Sequence, residues 1–552
     1  MAQSITPDML VGLEDAPAEV KESLRADPRE PETDPKLGIP VTVDRAGTPK
    51  HRLVTIGDSL THGFQSGAIF NTKLSYPAII AREMGWNSHF RHPTYASPGD
   101  GLPLNLEKLA RELSSRFQVE DGINAIDVAV ILPWLRGYLD QSEDFWERGP
   151  GANPPEAGAI NHNLAVYGWD LRNILSRKAD ICKQAIQKAP PRNNFELSKI
   201  VPENANDIAA LHVLNTARDA AGNSLTPLGA ATALGEEGSQ EDGQGDGIET
   251  LIIFIGANNV LGSILTFKVE WSGNDFKDMD KNNDYTVWLP SHFKSELDEI
   301  VEKVKQIKAR HVIWVTVPHV TVAPFAHGIN KERNGEKVKP GSRYFPFYAP
   351  IWLTEENFDP DKHKQHLTAN EARAIDSVID KYNEYIVDTV RKGRNQGKDW
   401  YVFEAVALLD RLAARRYIDD PTVKIPDWWT PYPLPPAVDA LQPKPDTRFF
   451  ESNLNGRQKG GLFALDGIHP TTIGYGIIAQ EIINIMQLAG VKFYQDDGIT
   501  ERTGKVEVDF GQLVKEDTLI SNPPSAVSPI LDFIGWLDGL FGIVSQIYKS
   551  SI

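Results

Sequence analysis

Short apolar runs alternate along this chain with longer stretches of helical periodicity, and that alternation leaves few architectures open. Leu53–Ile56, the alternating segment within Ile160–Leu171, Thr250–Asn259, His311–Val317 and Trp400–Phe403 read as strands. Helical patterns lie between them at Tyr76–Met84, Leu171–Ile186 and Phe293–Ile307, the last with Phe293, Leu297, Ile300, Val301, Val304 and Ile307 on one stripe. A further helix opens with Thr368 and Glu371 at capping-box spacing and runs to Arg391. Strands that alternate with helices form a parallel sheet, and open α/β sheets bind ligands at the carboxyl ends of their strands. The first run continues as LVTIGDSLTHG, which puts Ser59 just past such an end.

Around that rhythm the chain divides into three parts. Residues 1–47, rich in Pro, Asp and Glu, read as an extended arm. Residues 48–490 hold the α/β unit, interrupted by insertions at about 86–158, 190–248, 323–366 and 411–460. Insertions of this size over the end of a sheet shape pockets or lids. Within them the acidic, Gly-rich Gly235–Gly247 reads as a mobile loop, and DWWTPYPLPP at Asp427–Pro436 as a rigid aromatic loop. Residues 491–552 form an extension in which Ile530–Tyr548 has a broad apolar helical face, expected to dock on the domain rather than on lipid.

Charge and cysteine usage narrow the function. A formal net charge of −18 disfavours nucleic acid and anionic membrane as partners, both being negative already. Cys182 is the only cysteine, which rules out an intramolecular disulfide and a thiolate zinc cluster and leaves it as a small hydrophobe. The amino terminus lacks the charged and apolar regions of a secretory signal, so the chain reads as cytoplasmic, and no apolar stretch reaches the ~20 residues of a membrane span.

Ser59 alone could be an ordinary turn serine. A serine hydroxyl becomes a useful nucleophile only beside a base, an orienting carboxylate and oxyanion donors. Near the end of the chain, LFALDGIHP places Asp466 and His469 three residues apart in one turn before an apolar-striped helix, close enough for the carboxylate to reach the imidazole. Seen singly, that pair could equally be a helix-start turn with a surface histidine. His62 and His319, beside the first and fourth strands, could rim a site or be solvated; His363 and His366 lack further ligands at metal spacing. The Asp278–Asp284 run lacks the Gly and Glu of a calcium loop. Trp169 could line a pocket or pack against the sheet.

Taken together, GDSL at Gly57–Leu60, NLAVYG ending at Gly168, GANN at Gly256–Asn259 and DGIHP at Asp466–Pro470 resemble, in order, the four sequence blocks of the SGNH hydrolases, also called GDSL esterases and lipases. The resemblance covers these blocks and the strand-helix rhythm between them. It implies a flavodoxin-like three-layer α/β/α sandwich of about five parallel strands. By the same resemblance Ser59 is the nucleophile, His469 the general base and acid, and Asp466 its orienting carboxylate. The backbone N–H groups of Ser59 and Gly168 and the side-chain amide of Asn258 form the oxyanion hole. The implied reaction is cofactor-free hydrolysis of a small-molecule or lipid ester. Asn259 stands where the family block carries Asp. The Gly-x-Ser-x-Gly elbow of the α/β-hydrolases is absent around Ser59. A binding or scaffold protein that keeps the fold without catalysis is the alternative from another class.

Overall fold

A computed structural model describes residues 10–43, 47, 49–95, 101–117, 119, 123, 125–188, 204–242, 247–331, 343–413, 424–530 and 535. It is a mixed α/β structure with a four-stranded parallel sheet set among helices. The strands are β1 (His51–Gly57), β2 (Ile248–Phe254), β3 (Ala309–Val315) and β4 (Trp400–Phe403), paired in the order β1-β2-β3-β4. Register runs His51 to Ile248, Ile248 to Ala309 and Trp400 to Val312.

Every position of β1 and β2 is buried, so apolar residues dominate both runs on either face, and the charged Arg52 and Glu249 at their starts are buried as a pair at 2.9 Å. The two-residue period of a strand still shows in what each side chain touches. Val54, Ile56, Leu251, Ile253, Val312 and Trp314 enter one core with the helix stripes of Pro290–Val304 and Ala369–Asn395. Leu53, Ile252, Phe254, Ile313, Val315 and Tyr401 enter a second core with Tyr76–Glu83 and Thr472–Ala489.

The expected strand within Ile160–Leu171 is present only in part. Residues 162–166 run parallel to β1, joined by a single Thr55–Asn163 bridge. Thr55 N donates to His162 O, and Leu164 N and Val166 N donate to the carbonyls of Thr55 and Gly57. Asn163 spends its side chain on Thr55 and Thr61, so this stretch also fixes the turn after β1. The helical run Leu171–Ile186 is broken into Leu171–Ser176 and Ala179–Lys188. The helix from Ala369 extends to Asn395 and carries the expected Thr368–Glu371 capping box.

Two other expectations are corrected. Gly235–Gly247 is not a loop throughout: helix Pro227–Asp242 runs into it. Glu236 and Glu237 pair with Lys308 and Lys50, and a Cβ on Gly247 would stand 2.1 Å from the carbonyl oxygen of Gly235. The glycines therefore serve a close helix-to-strand approach. The arm is also packed rather than free. It forms helix Ala18–Ser23, buries Leu13, Val20 and Leu24 in the first core, and receives a hydrogen bond from Val402 N at Pro35 O along the edge of β4. Backbone cover of this kind removes an exposed sheet edge.

In the carboxyl-terminal extension Ile530 is buried, whereas nearly all the remaining apolar face expected to 548 lies outside the described residues. Among the described residues, no helix is long and apolar enough to cross a membrane.

Candidate active site

The site is built at the carboxyl end of β1. Asp58 caps the short helix Ser59–His62, its side chain accepting from Leu60 N at 3.1 Å, which turns the chain sharply and presents Ser59 at the strand end. Opposite it, the turn holding Asp466 and His469 is closed by the hydrogen bond from Ala464 N to His469 O and by the Phe463–Pro470 bridge. Thr471 then caps helix Thr472–Ala489, its side chain accepting from Gly474 N.

These two turns bring Ser59, His469 and Asp466 into line. His469 Nε2 lies 2.8 Å from Ser59 Oγ, and Nδ1 lies 3.0 Å from Asp466 Oδ2. Because the carboxylate can only accept, the ring proton sits on Nδ1, Nε2 is an acceptor and the Ser59 hydroxyl is the donor. Burial alone would push the Asp466 carboxyl up. The neighbouring His469, with N–H groups of His469 and Gly67, instead holds it below the usual carboxylate value, so it is ionised at neutral pH. The Phe64 ring packs on the imidazole with centroids 4.6 Å apart.

Gly168 is buried with φ +75, a backbone region that a residue with a Cβ rarely enters. The N–H groups of Ser59 and Gly168 donate to no acceptor among the described residues. Asn258 begins helix Asn258–Thr266 and donates its amide to Trp169 O at 2.9 Å; a primary amide keeps a second hydrogen for another acceptor. Asn259 accepts from Leu171 N at 3.3 Å through Oδ1, while its Nδ2 is buried without a partner among the described residues. The GANN block is thereby tied to the segment that carries Gly168.

Of the two residues considered for a pocket, Trp169 is a core residue. It is fully buried, with Nε1 donating to Asn206; the large apolar ring is better accommodated inside, and its one polar atom finds a partner there. His319 does line the cavity beside Ser59, but it is not solvated. Its two ring nitrogens contact Asp410 at 3.0 Å and Asp380 at 3.2 Å. His62 is likewise buried, with Nδ1 accepting from Tyr167 N and Nε2 bonded to Tyr95 Oη. Burial drives its pKa down to about 3, so the ring is neutral. His363 and His366 bond to local backbone, and Cys182 is buried.

Three contributors were not singled out in the sequence. Asn163 anchors the carbonyl of Thr61, and Tyr95 completes the bond to His62. Asp58, inside the GDSL block, has one carboxyl oxygen buried without a hydrogen-bond partner among the described residues. Desolvation raises its pKa to about 7, against the opposing pull of Leu60 N and His469. None stands out by periodicity; only the motif position of Asp58 could have marked it.

The cavity at Ser59 is walled mainly by Leu60, Phe254, Leu261, Leu408, Ile477 and Ile478. A hydroxyl hydrogen-bonded to an oriented imidazole, beside an apolar cavity and unpaired N–H donors, is equipped for nucleophilic acyl transfer. Comparison of the chain with protein-family models, with curated proteins and with solved structures finds no match.

Proposed function

We propose that this protein is a serine hydrolase that cleaves carboxylic esters through an acyl-enzyme at Ser59. The observation that carries the reading is the continuous contact from Ser59 Oγ to His469 Nε2 and from His469 Nδ1 to Asp466 Oδ2. Ser59 Oγ attacks the ester carbonyl carbon while its proton passes to His469 Nε2, and Asp466 stabilises the resulting imidazolium. Negative charge on the carbonyl oxygen is met by Ser59 N–H, Gly168 N–H and the Asn258 amide. Collapse expels the alcohol, which takes the proton from His469. Water then repeats the sequence on the acyl-enzyme, releasing the acid and restoring Ser59.

The SGNH resemblance of the four blocks supports the assignment, as does the topology. Counting residues 162–166 as a strand beside β1 gives the chain order 2-1-3-4-5 of flavodoxin-like folds. The two cores then lie on either face of a five-stranded sheet in a three-layer sandwich. The substrate is a small-molecule or lipid ester, and no cofactor enters the chemistry.

Incubation with a fluorophosphonate followed by intact-mass analysis tests the reading. Stoichiometric labelling of the wild type, lost in Ser59→Ala, is expected. A folded wild-type protein that takes up no label is a binding or scaffold protein instead.

A further inference from the structure

The cavity at Ser59 is not the only space at this end of the sheet. A second, larger chamber is bordered by Arg411, Tyr432, Leu434, Pro443, Asp446 and Arg448. Its volume is about 640 Å³, against about 100 Å³ for the cavity at Ser59. Leu412 and Leu462 line both.

The backbone on each side of this shared wall is pinned. Thr447 Oγ1 donates to Leu412 O at 2.9 Å, and Leu462 N donates to Asp446 O at 3.1 Å. The leucyl side chains, not the backbone, are therefore the adjustable part of the partition. On one side of them the walls are almost wholly apolar; on the other, charged and aromatic residues mix with proline and leucine.

We infer that Leu412 and Leu462 form a partition that sets the longest acyl chain the site accepts, the substrate being an ester of an aliphatic carboxylic acid. This rests on the acyl-enzyme reading above. The apolar cavity suits the acyl group, which stays bonded to Ser59 Oγ while the alcohol must leave and water must enter. Each methylene buried before the partition improves turnover, whereas a chain that meets the two leucines must displace them or buckle. Beyond them the chamber has room for more carbons.

The test is kcat/KM for p-nitrophenyl esters of straight-chain acids of increasing length, in the wild type and in Leu412→Ala, Leu462→Ala, Leu412→Phe and Leu462→Phe. Wild-type values should rise about fourfold per added CH₂ and then fall once the tail reaches the partition. The alanine variants should move that fall to acids longer by two carbons or more, and the phenylalanine variants to shorter ones. Because two substitutions enlarge the passage and two narrow it, misfolding of one variant leaves the comparison intact. An optimum at the same length in every folded variant overturns the partition while fluorophosphonate labelling still supports the hydrolase. Failure of the wild type to label overturns the hydrolase reading and this one with it.

Discussion

Asn258 Nδ2 donates to the carbonyl oxygen of Trp169 across 2.9 Å, joining the first residue of a helix after β2 to the residue that follows Gly168. Two candidate oxyanion donors on separate elements are thus held at a fixed spacing before any substrate arrives. Preorganisation of this kind acts on charge that exists only along the reaction path. Asn258→Ala should lower kcat by about 10²- to 10³-fold with little change in KM. Steady-state kinetics on a soluble ester decides it: an unchanged kcat with a raised KM would remove Asn258 from the hole.

Asp466 divides its two oxygens between tasks. Oδ1 accepts from the backbone N–H groups of Ile468 and His469, while Oδ2 accepts from Gly67 N and faces His469 Nδ1. In Asp466→Asn the amide nitrogen must replace one of these acceptors. Placed at Oδ2, it opposes the Gly67 donor and turns Nδ1 of His469 into an acceptor, leaving the ring proton on Nε2, where it cannot take the Ser59 proton. Activity should fall by about 10⁴-fold with unchanged circular dichroism. Near-normal turnover would mean that another group orients the imidazole.

The parts legible in the sequence are those whose chemistry is local. Asp466 and His469 share one turn, and Ser59 follows its strand directly, so short motifs record their relation. Strands buried on both faces are equally visible because consecutive apolar residues, as in Leu251–Phe254 and Val312–Val315, run through them. What escapes notice is held by contacts distant in the chain. Asp380 and Asp410 stand 61 and 91 residues from His319, and nothing near that histidine announces them. The Gly-rich stretch at 235–247 has a loop-like composition, yet Lys50 and Lys308 neutralise its glutamates and its glycines permit close packing. The arm misleads in the same way, because its Pro and acidic content outweighs the few apolar residues that dock it.

His62 passes a directed chain of hydrogen bonds behind Gly168. Tyr167 N–H donates to Nδ1, the ring must then donate from Nε2 to Tyr95 Oη, and the Tyr95 hydroxyl donates to Ala209 O. Tyr95→Phe leaves the buried Nε2–H without its acceptor, at a cost of about 1–3 kcal/mol. Denaturant unfolding should show that loss, and kcat should fall through displacement of the Tyr167–Gly168 backbone while Ser59 remains reactive. A variant as stable as the wild type would show that water replaces the phenol without penalty.

His319 should make stability depend on alkaline pH. Burial alone would lower its pKa, but Asp410 and Asp376, with direct contacts from Asp380 and Asp410, outweigh it and raise the value to about 10. Arg343 also faces Asp410, at 3.3 Å, and Thr321 donates to Asp376. In the unfolded chain the imidazole titrates near pH ~6.5. The folded state therefore gains from the bound proton in full below that value, progressively less as pH rises above it, and nothing once pH has passed about 10. The Tm advantage of the wild type over His319→Gln should be greatest near pH 6 and shrink steadily toward pH 10. Subtracting the variant removes the contribution of lysines and tyrosines that titrate in the same range. A difference that stays constant over this interval would mean that the ring is neutral when folded. The shrinking difference would mark His319 as a fixed cation in the wall of the Ser59 cavity, held there by Asp380 and Asp410 and barred from proton transfer at neutral pH.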